Sequence, residues 1–237
     1  MSRLTSMAVV VPARDEERVL AGCLESVHAA RRTLGQSRPD VEVVVLVVLD
    51  RCVDSSAALV AQHPGVETLV VSVGCVGAAR AAGADRVLAR TADPSRLWLA
   101  STDADSMVPP HWLLAQADLA DAGHDLVLGT VEPVEVDAHV LGRWARRHRL
   151  RDGHPHVHGA NLGVRASRYV EVGGFPGVGL HEDVLLAAAV KATGASWVAT
   201  DSTRVQTAGR LEGRVSGGFA TYLRELADEP EAVAAAG

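Results

Sequence analysis

Short apolar runs alternate with amphipathic stretches through the first half of the chain. Residues 7–11, 43–49, 66–73, 97–101 and 125–130 each form an apolar run bounded by polar or turn residues, which is the pattern of a buried strand. The run 43–49 has no polar face, as expected for a central strand of a parallel sheet covered by helices on both sides. Between the runs, Val19, Leu20, Cys23, Leu24 and Val27 recur at helical spacing. Further helices are predicted at 57–62, 78–89 and 111–122. Asp15, Glu16 and Glu17 are expected to open the first helix, where acids complement the macrodipole, and Asp54 or Ser55 to cap the second. Four strand-then-helix units in succession predict a parallel α/β sheet. The second half is less regular. Residues 131–140 read as a loop or an edge strand. Residues 141–150 read as a basic surface helix carrying Arg143, Arg146, Arg147 and Arg149. His181-Glu182-Asp183 opens a helix over 184–192. A short strand at 197–199 and a last helix at 219–227 follow.

Bulk properties narrow the class. The chain has 237 residues and is 48% apolar, enough for one large α/β domain with a sizeable core. Net charge is −6, from 23 basic and 29 acidic side chains, which argues against a nucleic-acid binder, whose phosphate contacts need a basic field. Aromatic content of 3% leaves little for stacking on bases. Cys23, Cys52 and Cys75 are odd in number and lack a C-x-x-C spacing, so they read as reduced thiols of a cytoplasmic protein. No apolar leader precedes the first strand, so no signal peptide is expected. The longest apolar run is far too short to cross a bilayer, so no integral membrane segment is expected.

The run 97–101 ends abruptly in Thr102-Asp103-Ala104-Asp105. In an open α/β sheet, ligands bind beyond the carboxyl ends of the strands. Two carboxylates flanking one extended residue point broadly the same way, and hard oxygen ligands so placed suit Mg²⁺ or Mn²⁺ held jointly with substrate phosphates. The alternative is a solvated loop with a helix cap. His154, His156 and His158 alternate, so a strand would put all three on one face, either as a zinc or copper site or as a lining of a cleft.

Taken in order, Val9-Val10-Val11-Pro12-Ala13-Arg14-Asp15-Glu16, Asp50 with Asp54 and Ser55, residues 77–83 around Arg80, Asp103-Ala104-Asp105, Gly159-Ala160-Asn161, and Glu182-Asp183 after Gly173-Gly174-Phe175 resemble the family 2 glycosyltransferases. The match in order and spacing extends over nearly the whole chain. The resemblance implies the GT-A fold, a Rossmann-like, mostly parallel sheet flanked by helices. It implies a single domain over 1–228, with a nucleotide-sugar-binding half (1–106), an acceptor-binding half (107–228) and a flexible tail (229–237). The implied activity is metal-dependent, inverting transfer of a sugar from a nucleotide-diphosphate donor to a hydroxyl acceptor. Pro12, Ala13 and Glu16 are expected to line the nucleotide pocket, Asp50 to contact the base, and Arg80 to lie near the diphosphate. Asp103 and Asp105 are expected at the ribose and a divalent Mn²⁺ or Mg²⁺, Asp183 at the position of the catalytic base, and Glu182 beside the acceptor. His158 and Asn161 are expected on the acceptor side.

Plainer readings stand beside these. Asp50 and Asp183 are also placed to cap helices, and Arg80 to be a surface arginine with a buried stem. Arg210 and Arg214 suit either an anionic group of donor or acceptor or exposed salt bridges. The chain departs from the family pattern in three places. Asp15 stands where many relatives have asparagine, Asp50-Arg51 replaces a pair of acids, and His181 is the last histidine, so a metal ligand near the C-terminus falls to Gln206 or to water. Two other functions share the same features: a non-catalytic nucleotide-sugar-binding relative, and a nucleotidyltransferase. The second would need a basic, glycine-rich phosphate loop after the first strand, and Arg14-Asp15-Glu16-Glu17 is mostly acidic.

Overall fold

The structure is a computed structural model and describes residues 2–148, 150–210 and 217–229. Its elements run β1 (Ser6–Ala13), α1 (Leu20–Ser37), β2 (Glu42–Asp50), α2 (Ser56–Val60), β3 (Val66–Val71), α3 (Val76–Leu88), β4 (Leu97–Ser101), β5 (Ser106–Met107) and α4 (Trp112–Asp121). Then come β6 (Leu126–Val134), α5 (Ala138–Arg147), β7 (Leu162–Arg165), α6 (Ala166–Glu171), α7 (Glu182–Ala192), β8 (Trp197–Ala208) and α8 (Phe219–Asp228). The described strands form one sheet in the order β3-β2-β1-β4-β7-β6-β8-β5. β1 lies at the centre of the parallel part, with Val9 opposite both Val45 and Ala100.

The sheet is covered on both faces, as the two-sided apolar runs require. One face buries Leu20, Leu24, Val27 and Leu34 of α1 and Trp112 of α4 against β1, β2 and β4. The other buries Ala79 and Val87 of α3, Tyr169 of α6 and Leu186 and Val190 of α7. α3 approaches closely because it carries Gly83: a Cβ there would lie 2.6 Å from a methyl of Val10 and 2.8 Å from one of Val48. A third, smaller cluster joins Val140 and Trp144 of α5 to Leu223 and Leu226 of α8. Arg143 caps this pair, donating to the carbonyl of Leu226 at 2.6 Å.

The first-half strands sit close to their predicted places, and β4 matches residue for residue. Two expectations change, and two are filled in. Asp15–Glu17 do not open α1, which starts at Leu20 with no acid in its first turn. Asp15 adopts φ 52°, and the three residues instead staple to the loop after β2. Asp15 Oδ1 accepts from the Val53 N–H at 2.7 Å, and Glu17 Oε2 from the Ser55 N–H at 2.9 Å. Residues 131–134 continue β6 and pair with β8 alone, an edge strand as expected for this stretch. Pro133 is tolerated because the β7 pairing has already ended at Leu128. β8 is 12 residues long, not three. Its buried positions Thr203, Val205 and Thr207 alternate, but two are threonines, which a search for apolar runs passes over. Finally, β7 runs antiparallel to β4 and β6 within a sheet that is mostly parallel, as expected.

That antiparallel strand has a consequence for the site. β1, β2, β3 and β4 end at one edge of the sheet, β6 and β8 end there too, and β7 begins there. The segments around Ala13, Asp50, Gly74, Asp103, Gly159 and Ala208 therefore converge. Arg149, Arg214 and residues 230–237 lie outside the described residues. Glu229, assigned by its sequence to the tail, pairs with Arg147 at 2.6 Å.

Candidate active site

The converging segments enclose a cavity of about 840 Å³, within the range of small-molecule and cofactor sites. Among the described residues it is bordered by the carboxylates of Glu16, Asp50, Asp103, Asp105, Glu182 and Asp183, and by the guanidiniums of Arg14, Arg80 and Arg210. Pro12 and Ala13 at the end of β1 also border it.

Arg80 is the pivot. It is 2% exposed, so it is not a surface arginine. Its guanidinium pairs with both Asp103 and Glu182, and its Nε donates to Ser101 Oγ at 3.0 Å. Burial works against its charge, but Asp103, Glu182 and Asp183 hold it protonated. Glycines make this arrangement possible. A Cβ on Gly159 would fall 2.5 Å from the Arg80 guanidinium, and one on Gly77 would fall 2.3 Å from the Pro176 carbonyl oxygen. Asp50 positions the segment that leads to Arg80. Its carboxylate accepts from the Val73 N–H at 2.9 Å and the Gly74 N–H at 3.0 Å. Gly74 takes φ 77° there, a conformation glycine adopts without strain. Asp50 therefore staples a loop and is not a helix cap.

The two acids after β4 have different partners. Asp103 faces Arg80. Burial pushes its carboxyl up to about 6, nearby Asp105, Glu182 and Asp183 add to that, and Arg80 opposes it. Asp105 pairs with Arg210, which also reaches Glu16 Oε2 at 3.0 Å. The buried Cys23 thiol supports the turn from below, 3.3 Å from the Asp103 carbonyl oxygen. Thr207, not Gln206, faces this pair, with its hydroxyl 3.3 Å from Asp105 Oδ1. Side chains alternate along β8, and Gln206 points outward, exposed.

Asp183 lies in the first turn of α7. Its carboxylate accepts from the Gly159 N–H at 2.6 Å and from the Val184 N–H at 2.8 Å. His181 before it adopts φ 62°, a costly backbone for a non-glycine residue and one found at functional turns. Glu182 is 5% exposed. Burial raises its pKa, Asp183 adds to that, and Arg80 opposes it.

His158 borders the cavity next to Gly159. The segment 154–158 is not a strand, yet its three imidazoles do share a face, stacked at 5.8 Å and 5.9 Å between ring centres. Their nitrogens do not converge on a metal. Among the described residues, only Asp15, Cys52 and Asp54 bring three ligand atoms within 4.8 Å of one another. That trio is occupied with loop contacts. Asp15 Oδ1 takes two backbone N–H groups, and the Cys52 thiol, its pKa raised by burial, sits 3.4 Å from the Ala13 carbonyl oxygen.

Asn161 does not reach the cavity. It is 1% exposed, accepts from Trp112 Nε1 at 2.9 Å and donates to the carbonyls of Thr130 at 2.8 Å and Thr203 at 2.7 Å. These carbonyls flank a bulge where β6 and β8 lose register between Gly129 and Val131. Asn161 therefore holds a sheet irregularity together from beneath the cavity. The cavity also includes residues the sequence did not single out: His148, Phe219 and Tyr222. Phe219 and Tyr222 stand three apart at the start of α8, a spacing that puts them on one helix face and was available as a signal.

The donor set at Asp103 and Asp105 fits a divalent cation. Both are hard carboxylates, and among the described residues the carboxylates around the cavity outnumber the guanidiniums. A diphosphate entering such a site needs added positive charge.

The profile of the glycosyl transferase family 2 matches residues 8–165, a segment running from β1 to the end of β7. The chain belongs to this family. No curated protein matches it. Its fold is that of the GT-A glycosyltransferases. Residues 1–349 of TarS from S. aureus, in complex with UDP-GlcNAc, superpose with a TM-score of 0.65 at 16% identity, over 94% of this chain and 65% of that one. The mannosyltransferase PcManGT from Pyrobaculum calidifontis, in complex with GDP-Man and Mn²⁺, gives 0.63 at 19% identity, over 91% and 59%. GalNAc-T7 with UDP, GalNAc and Mn²⁺ gives 0.62 at 13% identity, over 95% and 48%. Among the described residues no helix is long and apolar enough to cross a membrane.

Proposed function

We propose that this glycosyltransferase moves a sugar from a nucleoside-diphosphate donor to a hydroxyl acceptor, with inversion at the anomeric carbon and Asp183 as the base. The observation that carries this reading is the placement of Asp183. Its carboxylate is fixed by the Gly159 N–H at 2.6 Å on the same cavity as Asp103 and Asp105, the acids suited to the donor's phosphates and cation. Backbone bonds orient the carboxylate and leave lone pairs able to take a proton.

In this reading Asp183 accepts the acceptor's hydroxyl proton as its oxygen attacks the anomeric carbon. The bond from that carbon to the diphosphate oxygen breaks, and its electron pair leaves with the nucleoside diphosphate. One displacement on one face inverts the centre. Arg80 and Arg210 stand where they can meet charge on the leaving diphosphate. Pro12, Ala13, Glu16 and Asp50 border the nucleotide end. Mn²⁺ or Mg²⁺, when bound, supplies further charge neutralisation at the diphosphate, and Asp105 and Asp103 are the residues to hold it. Residues 1–106 thus bind the donor and 107–228 shape the acceptor site, with the Arg210–Glu16 pair joining the halves. The three free cysteines support a reducing, cytoplasmic setting.

The test is a thermal-shift series with UDP, GDP, CDP and TDP, each with and without Mn²⁺. A ligand that binds only the folded state raises the midpoint by mass action. The expected result is a metal-dependent rise with one nucleotide that Asp105→Ala abolishes. No rise with any nucleotide from folded protein contradicts the reading.

A further inference from the structure

The reading above leaves the acceptor to residues 107–228 and gives the wall formed by α5, α8 and residues 154–158 no chemistry of its own. The chain is poor in aromatics, with four Trp, two Tyr and two Phe, yet Trp144, Phe219 and Tyr222 gather at this wall with His148, His156 and His158. Trp144 stacks on His148 at 4.5 Å between ring centres and 5° between planes. His148 meets His156 at 4.8 Å, and Tyr222 closes edge-on against His148 at 5.5 Å. The ladder continues from His156 to His158 at 5.9 Å. His148, His158, Phe219 and Tyr222 border the cavity, and the buried Trp144 holds the ladder from behind.

The wall is neutral. Burial lowers the pKa of His148, His156 and His158: for His148 the Trp144 carbonyl opposes it and Arg147 adds to it, and for His156 and His158 the neighbouring imidazoles add to it, taking His158 to about 3. Among the described residues that border the cavity on this wall, none is a lysine or arginine. Arg147 reaches the wall from outside the cavity, where its guanidinium hydrogen-bonds to Tyr222 and is neutralised by Glu229 at 2.6 Å. Asp183 stands at the end of the ladder, bonded to the residue that follows His158. A hydroxyl presented to Asp183 therefore belongs to a group lying against neutral ring faces. Such faces favour sugar C–H groups and aromatic rings through dispersion and weak C–H contacts. They offer a phosphate or carboxylate no counter-charge, and Glu182 and Asp183 repel one.

We propose that this wall is the acceptor subsite and that it takes an uncharged, ring-bearing alcohol, a saccharide or aryl glycoside, in preference to a phosphorylated or carboxylated acceptor. The inference rests on the glycosyltransferase reading and adds the acceptor's chemical class. The test uses phenyl β-glucoside, methyl β-glucoside and glucose 6-phosphate as probes, titrated by saturation-transfer NMR against the full chain. Phenyl glucoside is expected to bind most tightly, and glucose 6-phosphate at least about tenfold more weakly because like charges meet. Tyr222→Ala and His148→Ala should each weaken phenyl glucoside about fivefold, the scale of one lost ring contact. Near-UV circular dichroism checks that Trp144 stays packed, and Tyr222→Ala, which leaves the Trp144–His148 stack intact, carries the test if His148→Ala does not fold. Equal or tighter binding of glucose 6-phosphate, glucoside binding unchanged in Tyr222→Ala, or no glucoside binding to the folded wild type each overturns the proposal. Nucleotide binding with Mn²⁺, measured on the same samples, separates the two readings. If it persists while the glucosides fail, only the acceptor class is wrong.

Discussion

The two walls of the cavity solve opposite problems. The wall proposed for the donor is built of charges, each held by an opposite charge or a backbone amide: Arg80 between Asp103 and Glu182, Arg210 between Asp105 and Glu16, Asp50 on two loop N–H groups. Glu16, Asp50, Asp103, Asp105 and Arg210 sit at or just past strand ends, and Arg80 and Glu182 sit on helices α3 and α7 packed against the sheet, so the sheet and its covering helices fix their positions. The wall proposed for the acceptor is built of uncharged rings on an irregular segment and on the helix pair α5 and α8, whose small cluster of Val140, Trp144, Leu223 and Leu226 is separate from the two large cores. The difference teaches where specificity resides. A pre-paired charge array is suited to a ligand feature that stays the same, such as a diphosphate. A ring wall on a satellite cluster can change its occupant without disturbing the sheet.

The contrast breaks most severely at Arg80. Arg80→Met leaves Glu182 and Asp103 without their buried cation. Removing one partner of a buried pair costs about 3–5 kcal/mol, so the midpoint in thermal or urea unfolding should drop steeply and nucleotide binding should be lost with it. Asn161→Ala sharpens the contrast from beneath both walls. It orphans the buried carbonyls of Thr130 and Thr203 and the indole N–H of Trp112, which should cost about 1–3 kcal/mol. Urea unfolding should show that loss while the nucleotide affinity of the folded protein stays within twofold or so of wild type.

The smallest effect is a matter of pH. Burial and neighbouring imidazoles depress the His158 pKa to about 3. The unfolded chain takes up this proton below about 6.5, whereas the folded protein does so only near 3. His158 therefore contributes its full share of stability above that upper value and loses it on acidification between the two. At pH 5 the loss is at most about 2 kcal/mol. His148 and His156 shift the same way. The wild-type melting temperature should fall between pH 7 and pH 5, and His158→Gln should fall less. Equal slopes would mean that His158 is not held neutral by the fold.

The same contrast explains what was legible in the sequence. Strands β1 to β4 and the acids at their ends could be read because an apolar run and its abrupt polar stop are local signals. Arg80 could be placed near a ligand only through the family resemblance, since its burial depends on the missing Cβ of Gly159, eighty residues away. The place of Asn161 in the sheet was hidden for a related reason. Its amide is spent on a bulge between β6 and β8, and neither the bulge nor the true length of β8 leaves an apolar run. Asp15 and Glu17 look like helix-opening acids, and only the nearby loop 52–56 shows that they are staples. The ring wall depends on rings that meet across more than seventy residues, from Trp144 to Tyr222, and only the alternation of His154, His156 and His158 and the Phe219–Tyr222 spacing announce parts of it locally.

The central claim is that binding the donor and activating the acceptor are separate tasks of the two sides of one cavity. The direct measurement is a paired one on Asp105→Asn and Asp183→Asn: nucleotide affinity with Mn²⁺ by calorimetry, and the rate of sugar transfer to the preferred acceptor. The account predicts that Asp183→Asn lowers the rate about 10³-fold, within the range for a general base, with nucleotide affinity unchanged. Asp105→Asn should lose nucleotide affinity. An Asp183→Asn protein that transfers sugar at the wild-type rate, or that loses transfer only because it no longer binds the nucleotide, would contradict it.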